Sequence, residues 1–151
     1  MASPRWLDSD EMKAWRSYIT ASVDLMKALE HDVAPHGITM GDYQLLAMIS
    51  EAPDRRLRLC DLADALRLTR SGLTRRMAGV IDGGLVARVQ DDKDRRVAFA
   101  ELTTKGWNLL KKVAPVHLAS VRALMIDHLS RTEIKAIGSA FAKIGENLRT
   151  A

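Results

Sequence analysis

The chain has 151 residues, 47% of them hydrophobic, enough to bury one core and too few for two ordinary enzyme domains. Its 23 Lys+Arg against 19 Asp+Glu leave a net charge of +4, a weak pull toward polyanions overall, yet Arg67, Arg70, Arg75, Arg76, Arg88, Lys93, Arg95 and Arg96 crowd its middle. A single cysteine, Cys60, excludes an intramolecular disulfide framework; with no signal-peptide core and no apolar run near the roughly 20 residues of a membrane span, a soluble cytoplasmic protein is expected.

Asp8 followed by Glu11 is a capping-box pattern, with Leu7 and Met12 placed to staple across it, so the first helix should start near Ser9. Met12, Trp15, Ile19, Val23, Met26 and Leu29 then form one apolar stripe, which Pro35 and Gly37 end. A second helix follows Thr39, with Tyr43, Leu46, Ala47 and Ile49 inward, and a Pro-containing loop follows it. Leu59, Leu62, Ala63 and Leu66 make the small face of a short third helix. Arg67-Leu68-Thr69 turns the chain into a fourth, capped by Thr69. There Leu73, Met77, Val80 and Ile81 should face inward, leaving Arg70, Ser71, Thr74, Arg75 and Ala78 outside, and Gly83-Gly84 stops the helix.

Residues 85–90 and 96–102 read as the strands of a hairpin around the charged tip Asp91-Asp92-Lys93-Asp94-Arg95. After Thr103 a fifth helix should run to about Asp127 with a bend at Pro115. Ser130 and Glu133 form a second capping box that opens a last helix with Ile134, Ile137, Phe141, Ile144 and Leu148 on one side. The predicted class is mainly α with a small β-hairpin. A short helix, a turn, an arginine-bearing helix and a charged hairpin in unbroken order define a winged helix-turn-helix, which offers one helix to the major groove and one ribbon to the backbone or minor groove. Long amphipathic helices at both ends need something to pack on, and a second copy supplies it, so a homodimer is expected.

Three stretches resemble the MarR family, the multiple-antibiotic-resistance regulators. Residues 59–66 are similar to its scaffold helix, residues 69–75 to the start of its recognition helix, and Asp94-Arg95-Arg96 with Leu102-Thr103-Thr104-Lys105-Gly106 to its wing signature, D-x-R…L-T-x-x-G. Trp6-Leu7-Asp8 and Ala14-Trp15-Arg16 are similar to segments of actinobacterial members. The resemblance implies a single MarR-type domain over 1–151, with a winged helix-turn-helix at 40–103 and dimerisation helices at 1–35 and 104–151. It also implies an obligate dimer on double-stranded, pseudopalindromic operator DNA, repressing until a small aromatic or anionic ligand releases it.

On the DNA side, Arg70, Ser71, Thr74 and Arg75 are the side chains for the major groove, since arginine pairs with guanine and small hydroxyls reach base edges or phosphates. The resemblance makes Arg96 the wing residue for the minor groove, with Asp94 fixing its direction, while Lys93 and Arg95 are phosphate contacts. Gly72 is a residue for close approach, either to the scaffold helix or to the DNA backbone. On the ligand side, Trp15, Arg16, Tyr43 and His117 come from the helices that border the family's cleft, an aromatic wall with one cation that suits a planar carboxylate or phenolate. Their other reading is ordinary packing for Trp15 and Tyr43 and a solvent-facing Arg16.

Cys60 is read as a small buried residue rather than a thiol sensor. His31, His36, His117 and His128 show no metal-ligand spacing, and no cofactor is expected. No phosphate loop, zinc-protease motif or nucleophile elbow is present, so the chain is not read as an enzyme. The alternatives are a winged helix that binds protein without DNA activity and a thiol- or metal-responsive regulator.

Overall fold

In the computed structural model, which describes residues 4–150, the chain forms α1 (Ser9–Val33), α2 (Met40–Glu51), β1 (Arg56–Arg58), α3 (Leu59–Leu66), α4 (Arg70–Asp82), β2 (Val86–Gln90), β3 (Ala98–Leu102), α5 (Thr104–Leu124) and α6 (Arg131–Thr150). It divides into two compact units. Glu30–His117 form one, and the chain up to Leu29 together with that from Leu118 onward forms the other.

The helix starts follow from their caps. Asp8 accepts from the Glu11 amide while Glu11 accepts from the Asp8 amide, both near 3 Å, so two of the orphan donors at the start of α1 are satisfied. Thr39 and Asp42 do the same for α2, and Ser130 and Glu133 for α6. Thr69 caps α4 by accepting from the Gly72 amide at 3.1 Å. A Cβ on Gly72 would lie 3.2 Å from that Thr69 hydroxyl and 3.7 Å from Leu68, so the close approach at Gly72 is to the preceding turn. Arg67, at φ 57, ends α3 in the left-handed region, and Gly37, at φ 77, closes the short turn after α1.

The Glu30–His117 unit holds nearly all of the buried apolar side chains. Leu45, Leu46 and Ile49 of α2, Leu62 of α3, Val80 of α4 and Val86 of β2 are fully buried in its core. Each such burial stabilises by about 1.5–3 kcal/mol relative to exposure. The sheet is antiparallel in the order β1-β3-β2, with Leu57 opposite Ala100 and Val86 opposite Leu102 on its inner face. β1 has no counterpart in the sequence reading. Its three residues, Arg-Leu-Arg, carry no alternation of their own, and they are a strand because β3 offers a free edge. The hairpin strands are shorter than expected, starting at Val86 and Ala98.

One junction ties α4, the sheet and α5 together. The Thr103 hydroxyl donates to the carbonyls of Gly84 (2.7 Å) and Leu85 (3.0 Å) and accepts from the Gly106 amide (3.0 Å), and Lys105 reaches the Gly83 carbonyl at 2.8 Å. Gly106 is buried, and a Cβ there would run into the Leu85 carbonyl. This is the physical content of the Leu102-Thr103-Thr104-Lys105-Gly106 signature: a hydroxyl cap, a cation on the preceding helix's last carbonyls, and no side chain where two backbones touch.

The terminal-helix unit packs differently. Tyr18 lies 6.3 Å from Trp15 and 5.2 Å from Phe141 between ring centres, joining α1 to α6. Even so, α6 contains no buried residue, and Trp15, Val23, Leu118, Ile144 and Leu148 remain exposed. α5 runs on through Pro115 and ends at Leu124, three residues before the expected Asp127, and a short 3-10 turn spans Ile126–His128. Asp127 instead accepts from Arg122, and a His128 ring nitrogen lies 2.8 Å from the Ala123 carbonyl.

Candidate nucleic-acid interface

Helix α4 shows core on one side and charge on the other. Leu73, Met77 and Val80 are buried, while Arg70, Ser71, Thr74 and Arg75 are exposed, as expected. Ile81 departs from expectation: it is 37% exposed, because it sits on the flank of α4 that turns toward the wing. The Thr74 hydroxyl donates to the Arg70 carbonyl at 3.0 Å, which leaves its oxygen free to accept. The guanidinium groups of Arg70 and Arg75 have no ion-pair or hydrogen-bond partner among the described residues, so both are available to a ligand.

The hairpin tip is organised by its own aspartates. Asp91 accepts from the amides of Lys93 (2.8 Å) and Asp94 (3.0 Å), a turn that sequence reading alone did not resolve. Asp94 accepts from the Arg96 amide and, through both oxygens, from its guanidinium at 3.1 and 3.2 Å. These bonds hold both carboxyls below the usual aspartate range: for Asp94 chiefly the Arg96 side chain, for Asp91 the amides of Asp94 and Lys93. Arg96 is thereby aimed while its side chain stays 92% exposed. Lys93 and Arg95 project beside it, exposed.

A cleft of about 540 Å³ joins helix to wing. Arg70 and Thr74 from α4 and Arg96 from the wing line it together, along with Arg58 and Arg88. Those last two were not assigned from sequence. Arg88 shares a sheet face with Ala100, its partner in register, and Arg58 belongs to the unexpected strand β1. Cys60 also borders the cleft and is exposed, contrary to the expected buried role, because it stands two residues before Leu62, about 200° round α3 from that buried side chain. Among the described residues no group of three or more His, Cys, Asp or Glu side chains could hold a metal ion.

Of the expected ligand-side residues, Tyr43 and His117 are brought together, with ring centres 4.4 Å apart. Burial lowers the His117 pKa, favouring the neutral ring, and its Nδ1 is buried without a hydrogen-bond partner. The Tyr43 hydroxyl is pushed up, first by burial and then by the Glu51 charge. In the terminal-helix unit, Trp15 and Arg16 are exposed on α1, and Trp15 is associated with Tyr18, an aromatic neighbour that the sequence reading did not assign.

A recognition helix flanked by a scaffold helix and a three-stranded wing defines the winged helix-turn-helix class. Residues 36–97 match the MarR family. The fold is similar to that of AbsC, a MarR family transcriptional regulator from Streptomyces coelicolor, with a TM-score of 0.95 and 38% identity over 98% of this chain and 100% of that one. It is also similar to Sco3205 from the same organism, a MarR family regulator solved in complex with DNA, with a TM-score of 0.92 and 36% identity over 96% of this chain and 92% of that one. The repressor YetL of Bacillus subtilis is 26% identical over 141 residues, 91% of this chain and 84% of its own. The chain belongs to the MarR family of transcriptional regulators. No helix among the described residues is long and apolar enough to cross a membrane.

Proposed function

We propose that the chain acts in the cytoplasm as a homodimeric repressor that binds a pseudopalindromic DNA site and works by binding, not by catalysis. The observation that carries this reading is the shared cleft: Arg70 and Thr74 of α4 and Arg96 of the wing line one surface, so helix and ribbon present their cations together. Arg75 stands on the exposed side of the same helix, positioned for a guanine edge. The DNA complex of Sco3205 supports the same use of this fold. The exposed apolar side chains of the terminal helices, Leu148 at 71% and Leu118 at 59%, support a second copy as their partner. Selection of bound duplexes from a random pool, followed by footprinting, tests the proposal. The expected product is an inverted repeat whose half-site centres lie about one helical turn apart. Binding of a monomer to single half-sites would overturn it.

His117 favours a second element, release by a small planar aromatic anion. Its buried, unpartnered Nδ1 suits a hydroxyl donor, and the Tyr43 ring beside it suits stacking. Release requires only that the ligand prefer a dimer mismatched to the operator, by about 1–3 kcal/mol of coupling. Titration with salicylate, followed by tryptophan fluorescence and operator occupancy, tests this. A full response in a Tyr43→Ala, His117→Ala double variant would overturn it.

A further inference from the structure

A helix lying in the major groove faces bases with one side and the two phosphate backbones with its flanks. On the wing flank of α4, Arg70 stands with Arg88 and Arg96. The opposite flank, toward α2, borders a separate cleft of about 730 Å³ that Glu30, Asp42, Arg75 and Arg76 line with the bare backbones of Gly41 and Gly79. Arg76 follows Arg75 by one residue, about 100° round the helix, which takes it off the base-facing side and onto this flank.

The Arg76 guanidinium sits over Gly41, at the start of α2. A Cβ built on Gly41 would overlap it, so the guanidinium occupies the volume that any other residue's side chain would need. Among the described residues no hydrogen bond or ion pair engages it there. The nearby acids are engaged elsewhere: Glu30 accepts from the Met40 amide at 2.7 Å and Asp42 from the Thr39 amide at 2.9 Å, and neither forms an ion pair with Arg76. Those two carboxylates would repel a DNA strand on this side. Arg75 and Arg76 are the two arginines that line this flank, and Arg76 is the one held against α2.

We propose that Arg76 is a further contact to the DNA phosphate backbone, and that Gly41 is its positioning residue, holding the guanidinium on the α2 flank by having no side chain. The inference rests on the DNA-binding reading above.

The test is salt-dependent binding of the purified full chain to a fluorescein-labelled 40-base-pair duplex of mixed sequence, read by anisotropy with NaCl varied from 50 to 200 mM. One phosphate contact contributes about 0.9 to the slope of log affinity against log salt, about 3.5-fold across that range. Arg76→Ala should lose that 3.5-fold of salt sensitivity and Arg76→Lys should keep most of it. Gly41→Ala, which displaces a flexible side-chain end and no backbone, should reproduce the Arg76→Ala slope and add nothing in the double variant. A slope unchanged in Arg76→Ala, with or without a lower melting temperature, overturns the contact. A Gly41→Ala slope equal to that of the unaltered chain overturns the positioning role. If the unaltered chain shows no salt-dependent binding to any duplex, the DNA reading fails and this inference with it. Binding that Lys93→Ala weakens while Arg76→Ala does not leaves the reading intact and overturns this inference alone.

Discussion

The two units of this chain are built from the same kind of amphipathic helix and end in opposite states. In Glu30–His117, the apolar stripes of α2, α3 and α4 close on each other and on the sheet, and Leu45, Leu46, Ile49 and Leu62 are wholly buried. In the terminal-helix unit, the stripes of α1 and α6 stay open: Trp15, Val23, Ile144 and Leu148 are exposed although their spacing is as regular. Periodicity therefore reports that a face will be covered and says nothing of what covers it. One unit is finished by its own chain, and the proposed dimer finishes the other.

The largest expected effect breaks that contrast directly. Ile144→Asp and Leu148→Asp should convert dimer to monomer, because each places an uncompensated charge in a covered face at a cost of about 3–5 kcal/mol, twice per dimer. Sedimentation equilibrium would show it, with operator binding lost alongside. Leu46→Ala should instead cost about 2–5 kcal/mol of folding stability in a melting transition, through the cavity it leaves. If the aspartate variants stayed dimeric, the open stripe would have some other use.

Next comes the junction. Gly106→Ala forces a methyl against the Leu85 carbonyl and should destabilise by about 1–3 kcal/mol in urea unfolding, since backbone on both sides must shift. Gly79→Ala, where nothing lies within 4 Å, should be neutral or stabilising. Within the interface, Arg75→Ala should cost about 1–3 kcal/mol of base discrimination, visible as a relaxed motif in selected sequences, whereas Lys93→Ala should weaken every sequence alike and lower the salt slope by about one. An unchanged motif in Arg75→Ala would mean that another face of α4 reads the bases.

The smallest effect is a pH dependence. Burial lowers the His117 pKa in the folded chain, so the unfolded chain binds more protons once pH falls below the ordinary histidine value. Stability should therefore decline as pH drops from about 6.5 toward the lowered folded value and level off beneath it. Thermal melts of His117→Gln should lose that segment of the profile.

Much of this was legible in the sequence because caps and signatures are local. Asp8 with Glu11, Ser130 with Glu133, and Thr69 each satisfy backbone donors within a few residues, and so can be read without knowing the fold. What escaped is what depends on neighbours distant in sequence. β1 exists through β3; Ile81 and Cys60 are exposed because a cleft opens between α4, α3 and the wing; Arg58 and Arg88 reach that cleft only through sheet register. The wing residues were expected from a signature, but Asp91's hold on the tip is a matter of backbone geometry that composition does not announce.

The Thr103 junction bears on how such a regulator can change over time. Because the end of α4 and the beginning of α5 are fastened by Thr103, Lys105 and Gly106, the heading of α4 is tied to the first turn of α5. In the proposed dimer, the distance between half-sites is then set by α5 and the letters within each half-site by the outer face of α4. On that proposal, spacing and spelling of an operator would be written in separate parts of the chain. A lineage can revise one without disturbing the other, and the residues at the fastening point are those it cannot revise without losing both.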